Sequence, residues 1–227
     1  LAAKELALFK KYIQKRIEGF SAAAIIGKKE FMGLTLKVNE QVLIPRPDTE
    51  TWLEKVIQYY RNETGLKVAD LGTGSGAILV GFLYYCRDAV GVGVDISTEA
   101  LKIAEENGQN LKITDRVEWR QGDYLKAFDE EDIFDGIFSN PPYIPTKDIG
   151  GLSREVKHEP RLALDGGTDG LYFYHLLAKG AAEHLKPGGF LAVEFGIGQA
   201  TDILEMFRKS AQYEDFEVIK DYGGIER

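Results

Sequence analysis

Cysteine, histidine and long apolar runs are all scarce in this 227-residue chain, and each scarcity closes a class of function. The one cysteine, Cys86, cannot form an internal disulfide, and a reducing compartment is expected. It lies among Phe82, Leu83, Tyr84 and Tyr85, the setting of a packed thiol rather than a nucleophile. The three histidines, His158, His175 and His184, lack metal-ligand spacing, so no metal is expected. No apolar stretch reaches the length of a membrane span, and the amino end has no signal-peptide core. The expectation is a soluble, cytoplasmic monomer without membrane association. Basic residues are also in deficit: 28 Lys and Arg against 36 Asp and Glu give a formal charge of −8. A chain so acidic is a poor grip for a phosphate backbone, and no direct DNA binding is expected. Residues 1–30 depart from this with a local charge of +4, which leaves −12 for the rest. That basic stretch reads as a solvated helix face or as a contact to an RNA-rich assembly.

What is present suffices for one substantial core, at 44% hydrophobic residues. Leu6, Phe9, Ile13 and Ile17 stand at helical spacing over residues 2–18, ending near Gly19. Two extended stretches, Glu30–Leu36 and Lys37–Leu43, are expected to pair as a hairpin. A helix follows over about residues 50–61, with Asp48 or Thr49 as its N-cap. From Leu66 onward apolar runs alternate with helical stretches. Strands are predicted at Lys67–Leu71, Val90–Val94, Val117–Gln121, Phe134–Ser139, Phe190–Phe195 and Phe216–Lys220, with helices near 75–86, 98–110, 170–185 and 199–210. Such alternation implies an α/β fold, a mostly parallel sheet with helices on both faces. Lys186-Pro187-Gly188-Gly189 reads as a turn feeding a buried strand.

The first of these strands runs into Asp70-Leu71-Gly72-Thr73-Gly74-Ser75-Gly76 and then a helix. Glycines there let the backbone turn sharply and let a ligand approach without a Cβ in the way. The next strand ends at Asp95-Ile96, where a carboxylate can accept from both ribose hydroxyls; a helix N-cap is the plainer alternative. The third ends in Gly122-Asp123-Tyr124, an acid and an aromatic that could flank an adenine ring. The glycine loop by itself favours no cofactor, since its spacing up to Ala77, with an acid about twenty residues on, also fits NAD. Asp70, placed to meet a cationic ligand end, tilts the balance away from NAD.

The fourth strand delivers Asn140-Pro141-Pro142-Tyr143. Two prolines remove two N–H donors and stiffen the segment, so its outward face is rich in acceptors. The Asn140 side-chain oxygen and a nearby carbonyl can accept both hydrogens of a planar –NH2 group while the Tyr143 ring lies against its plane. A rigid proline turn is the plain reading of the same residues. A nicotinamide site has no evident use for them.

Taken together, these residues resemble the class I S-adenosylmethionine-dependent methyltransferases. More narrowly the chain is similar to the HemK/PrmC family, which methylates the side-chain amide of a glutamine in peptide chain release factors. The resemblance runs along nearly the whole chain. It rests on Phe31-Met32-Gly33-Leu34, Val42-Leu43-Ile44-Pro45-Arg46-Pro47-Asp48-Thr49-Glu50, the glycine loop, Ser139-Asn140-Pro141-Pro142-Tyr143-Ile144, Glu159–Gly167 and Lys220–Arg227. It implies a Rossmann-like catalytic domain over 46–227, a hairpin linker over 30–45, and over 1–29 a linker with the remnant of a helical substrate-binding domain. It implies S-adenosyl-L-methionine as cofactor, with S-adenosyl-L-homocysteine as product, and a release factor as protein partner. Catalysis would fall to Asn140, Pro141 and Tyr143. Substrate contacts would come from Asn140, Pro141, Pro142 and Tyr143. Cofactor contacts would come from Asp70, Gly72, Thr73, Gly74, Ser75, Gly76, Asp95, Ile96, Asp123, Tyr124 and Asn140. Glu159-Pro160 and Gly166-Gly167 would either frame the substrate entrance or serve loop architecture alone, while Arg46 would either bind the partner's backbone or pair with Glu50 or Asp48. The rival readings are a glutamine methyltransferase acting on a ribosomal protein, an adenine-N6 nucleic-acid methyltransferase and, in a different class, an NAD(P)-dependent oxidoreductase.

Overall fold

Five runs too short for helices, the middle three largely buried, set the centre of the molecule. In the computed structural model, which describes residues 2–227, they form a five-stranded parallel sheet in the order β5-β4-β3-β6-β7. Its strands are β3 (Lys67–Leu71), β4 (Val90–Asp95), β5 (Val117–Gln121), β6 (Phe134–Ser139) and β7 (Leu185–Val193). A small antiparallel hairpin, β1 (Lys28–Phe31) with β2 (Leu34–Lys37), stands apart from it. The helices are α1 (Ala3–Glu18), α2 (Ala22–Ile26), α3 (Pro47–Tyr60), α4 (Ala77–Tyr85), α5 (Thr98–Asn110), α6 (Tyr172–Gly180) and α7 (Ala200–Ser210).

Alternation along the central strands feeds two cores. Val68 and Phe138 face the hairpin, α3 and α4, where Phe31, Leu36, Leu53, Phe82 and Leu83 are buried. Ala69, Leu71 and Ile137 face the opposite layer with Tyr174, Leu177, Ile203 and Phe207 of α6 and α7. Burying a side chain of Leu or Phe size contributes about 1.5–3 kcal/mol, so the two clusters hold the sheet between helical layers. The fold is a doubly wound, Rossmann-like α/β arrangement.

The order of strands positions the site. From β3 the chain winds outward through β4 and β5, then crosses back to place β6 on the other side of β3. At that reversal Leu71 and Ser139 are register partners, and Ser139 Oγ donates to the Leu71 carbonyl at 2.8 Å. The glycine loop and the Asn-Pro-Pro-Tyr segment therefore leave adjacent strands side by side, at the place where open α/β sheets bind ligands.

Several boundaries differ from the sequence reading. The hairpin pairs Lys28–Phe31 with Leu34–Lys37, so Lys37–Leu43 is mostly not strand. Helix α3 starts at Pro47, three residues early, with Arg46 as N-cap, because proline is pre-organised for the first helical position. Asp48 and Thr49 are therefore inside the helix and not caps. The stretch at 170–185 divides into α6 and a 3-10 turn, Ala181–His184. β7 begins five residues early; the Lys186–Gly189 turn bulges out of it, Gly188 taking φ +79°. This strand is half-buried because it lies at the sheet edge. Among the described residues Phe216–Lys220 forms no strand: Val218 and Ile219 pack on the two cores while Lys220 bridges only Glu226. Ser21 caps the short α2, which the periodicity did not reveal.

Candidate active site

The loop after β3 is held by its neighbours before any ligand is considered. The N–H groups of Gly72 and Thr73 both donate to the Val94 carbonyl at 2.9 Å. Thr73 Oγ1 donates to Asp70 Oδ2 at 2.6 Å, and the Gly74 N–H donates to Asp95 Oδ2 at 2.8 Å. Gly72, Gly74 and Gly76 take φ of +73°, +57° and +78°, which L side chains rarely adopt. A Cβ on Gly74 would meet nothing nearer than 4.0 Å, so the loop's outer side is open. A Cβ on Gly72 would lie 3.0 Å from the Tyr124 hydroxyl.

Asp70 is fully buried at the root of this loop, and burial pushes its carboxyl up from 3.8 to about 7. Its Oδ1 has no hydrogen-bond partner among the described residues. Asp95 Oδ1 accepts from the Ser97 N–H at 2.9 Å, while Ser97 itself caps α5. Asp95 thus ties the loop to the start of α5 and keeps a second lone pair on each oxygen. Burial raises its carboxyl too, against three backbone donors that lower it. Ile96, just beyond, is exposed. Ser75 is buried, and its carbonyl accepts from Asn107 Nδ2 at 2.9 Å. Asp123 is exposed and pairs with Lys126 at 2.5 Å. Tyr124 takes φ +52° and stacks on Phe173 at 4.5 Å; its hydroxyl is buried without a partner, and burial raises it far above the ordinary phenol.

Across the reversal, Asn140 is half-buried, and its amide Nδ2 donates to Thr49 Oγ1 at 3.3 Å. Thr49 Oγ1 in turn donates to Glu194 Oε2 at 2.6 Å, and Trp52 Nε1 donates to the same oxygen at 3.0 Å. Glu194, Thr49 and Trp52 are all buried. The fixed proline segment continues into Tyr143, whose carbonyl accepts from Gln199 Nε2 at 3.0 Å and whose hydroxyl burial pushes up to about 12. Beyond it Ile144 pairs with the loop strand at Asp165, through Ile144 N to Leu164 O at 3.0 Å and Gly166 N to Ile144 O at 2.8 Å. A cavity of about 200 Å³ opens beside Asn140 and Tyr143, walled by Leu43, Arg46, Ile144, Leu152, Val156, Ala163 and Leu164.

Arg46 pairs with neither Asp48 nor Glu50. Its guanidinium donates to Glu159 Oε1 at 2.6 Å, and Glu159 Oε2 accepts from the Ile44 N–H at 3.3 Å. Asp48 pairs instead with Arg227 at 2.8 Å. Glu159 is a buried acid that fastens the loop before α3 to the loop after β6, and burial raises its carboxyl against the pull of Arg46. Sequence reasoning overlooked Glu194, Trp52 and the buried role of Thr49. The available signal was Glu194 itself, an acid between Val193 and Phe195 in an otherwise apolar strand end. Such a group is buried only when it is paired.

This geometry has relatives. Residues 62–193 match the family model of a methyltransferase domain. The chain is 42% identical over 231 residues to the release factor glutamine methyltransferase of Bradyrhizobium diazoefficiens, covering 100% of this chain and 77% of that protein. It is 41% identical over 227 residues to the release factor glutamine methyltransferase of Moorella thermoacetica, covering 100% of this chain and 80% of that protein. A crystal structure of a methyltransferase from Pyrococcus furiosus superposes with a TM-score of 0.62 at 22% identity, covering 94% of this chain and 93% of that one, which establishes the common fold.

Proposed function

We infer the reaction from the family to which this chain belongs, the release factor glutamine methyltransferases. The enzyme transfers a methyl group from S-adenosylmethionine to the side-chain amide nitrogen of a glutamine in a peptide chain release factor. The acceptor is the glutamine of the factor's Gly-Gly-Gln motif, and the enzyme works on it as a cytoplasmic monomer. The observation that carries this reading is the side-by-side placement of the glycine loop and Asn140 at the ends of β3 and β6.

The residues fit the cofactor. The open side of the loop at Gly74 leaves room for close backbone approach, and the unpartnered Asp70 Oδ1 offers an acceptor to a cationic group. Asp95 retains free lone pairs for hydroxyl donors, and exposed Ile96 supplies an apolar surface beside them. Thr73, Gly72, Gly76 and Ser75 hold the loop's shape, with Tyr124 beneath it and Asp123 at its rim. When bound, S-adenosylmethionine supplies a sulfonium methyl as electrophile.

The protein's part is to make a weak nucleophile attack. An amide nitrogen shares its lone pair with the carbonyl, the resonance behind a rotation barrier of ~18–20 kcal/mol in peptide amides. Asn140 Oδ1 and the Pro141 carbonyl accept the two N–H hydrogens of the glutamine amide and aim its lone pair. Both bonds strengthen as positive charge builds on nitrogen, so they stabilise the transition state more than the bound substrate. Pro141 and Pro142 fix these acceptors in advance, and Tyr143 closes one side of the acceptor cavity. The proton leaves to water after transfer, when the nitrogen has become acidic.

Peptide mass spectrometry of a bacterial-type release factor, incubated with the enzyme and S-adenosylmethionine, tests this. The expected result is a one-methyl mass gain on the Gly-Gly-Gln glutamine that Asn140→Ala abolishes. No gain with wild-type enzyme that binds S-adenosylhomocysteine would overturn the acceptor assignment.

A further inference from the structure

An asparagine amide looks nearly the same either way round, yet only one way serves the reaction. With the oxygen toward the acceptor, Asn140 receives a hydrogen of the incoming –NH2. Turned by half a rotation it would set donor against donor. Something must choose the orientation, and hydrogen-bond bookkeeping over four residues does so.

The indole Nε1–H of Trp52 can only donate, so Glu194 Oε2, which receives it at 3.0 Å, is an acceptor. Thr49 Oγ1 lies 2.6 Å from that same oxygen and carries a single proton, which it must therefore give to Glu194. Toward Asn140, 3.3 Å away on its other side, the Thr49 oxygen has only lone pairs left. The group that meets it must be Nδ2–H2, which leaves Oδ1 as the amide atom free for the acceptor. Every link before Asn140 is buried: Trp52 is 3% exposed, Thr49 4% and Glu194 2%. Water cannot easily substitute, and a reversed link would strand a buried donor or acceptor. The direction holds with Glu194 ionised or protonated on Oε1, since Oε2 is an acceptor in both.

We propose that Glu194 and Thr49 are positioning residues that act through this one-way chain of hydrogen bonds to lock Asn140 with its oxygen toward the glutamine amide. The assignment rests on the reaction inferred above. It places two of the three supports on α3, and the third at the strand end next to β6. The catalytic asparagine is thus oriented by elements other than its own strand.

Thr49→Val and Thr49→Ser form the test, because valine keeps the volume and removes the hydroxyl while serine keeps the hydroxyl. The expected result for Thr49→Val is a kcat lower by roughly tenfold to a hundredfold, the scale on which supporting residues around a reactive group act. KM for the release factor, affinity for S-adenosylhomocysteine and melting temperature stay near wild type. Thr49→Ser restores kcat, and so does Glu194→Gln, whose amide oxygen can occupy the Oε2 position. Wild-type kcat in Thr49→Val, or equal losses in Thr49→Val and Thr49→Ser, would overturn the proposal. A readout independent of the acceptor separates its failure from that of the reaction: hydrogen exchange of the Asn140 side-chain –NH2, followed by NMR. Exchange is expected to be slow in wild type and in Thr49→Ser but fast in Thr49→Val. Equal rates in all three would sink the chain of bonds even in an enzyme that methylates release factor.

Discussion

At the ends of β3 and β5, the buried Oδ1 of Asp70 and the buried hydroxyl of Tyr124 have no hydrogen-bond partner among the described residues. One strand away, past the ends of β6 and β7, the buried Glu194 receives both Thr49 and Trp52, and Thr49 receives Asn140. Both regions lie at the same edge of one sheet and hold acids that burial pushes upward. They differ in what completes them. The glycine-loop side keeps lone pairs for something that arrives, whereas the Asn140 side spends its own on one another. A group that must bind and release a cofactor benefits from unspent acceptors. One that must present a single oxygen in a fixed direction benefits from having none to spare.

The contrast can be broken at its sharpest point first. Asn140→Ala removes the proposed acceptor, and kcat is expected to fall by about 10²–10³, the scale of losing one pre-organised hydrogen bond in a transition state, which leaves no mass gain on the timescale of wild-type turnover. Calorimetric binding of S-adenosylhomocysteine should be nearly unchanged. On the open side the effects reverse. Asp70→Asn should weaken that binding by about ten- to a hundredfold, as for a lost charged hydrogen bond, with a smaller change in kcat at saturation.

The raised carboxyl of Asp70 adds a pH signature. Between 3.8 and about 7 the folded protein holds a proton that the unfolded chain has released. Stability contributed by that proton is full below 3.8 and lost as pH rises through about 7. A cationic ligand favours the ionised carboxylate, so affinity should increase as pH rises from 6 toward 8, by up to about tenfold per unit below 7. Asp70→Asn should flatten that dependence, and a wild-type affinity independent of pH would remove the cation from the picture.

Smaller effects probe the frame around both regions. Arg46→Ala leaves Glu159, whose side chain is 5% exposed, without its cation. Since Arg46 itself is 33% exposed, the expected loss is about 1–2 kcal/mol, less than for a fully buried pair. Urea unfolding measures it, and KM for the release factor should rise because both loops walling the cavity lose their tie. Arg16→Ala removes a solvated ion pair to Glu155 at 2.7 Å, with side chains 43% and 49% exposed. It should cost less than about 0.5 kcal/mol, the least of the series.

The same contrast explains how much could be read from the sequence. β3 and β6 were legible to the residue because each is a short, mainly apolar run ended by the glycine loop or a polar motif, and β5, with Val117 and Trp119 alternating with polar residues, because the alternation stops at Gly122. The place of the glycine loop and of Asn140 at neighbouring strand ends was legible because each motif is written in consecutive residues. Glu194, Thr49 and Trp52 were not, since their meaning lies in partners more than 90 positions away. Thr49 looks like a helix cap until Pro47 is seen to start the helix two residues before it. Arg46 has two acids close by in sequence, yet the buried acid at 159 takes it, since burial favours the charge that most needs compensation. Phe216–Lys220 has the composition of a strand, but Val218 and Ile219 pack on the two cores without a ladder while Phe216 is exposed.

The bond between Thr49 and Glu194 joins residues 145 positions apart, and the one between Asn140 and Thr49 spans 91. Contacts of such separation form late, because the entropy of closing long loops must be met before they return anything. During synthesis the glycine loop can take shape while the last quarter of the chain is still being made. On the proposed chain of bonds, Asn140 acquires its direction only once residue 194 has emerged. Catalytic competence is coupled, on the proposed orientation of Asn140, to near-completion of the polypeptide, because the chain of bonds ends at Glu194.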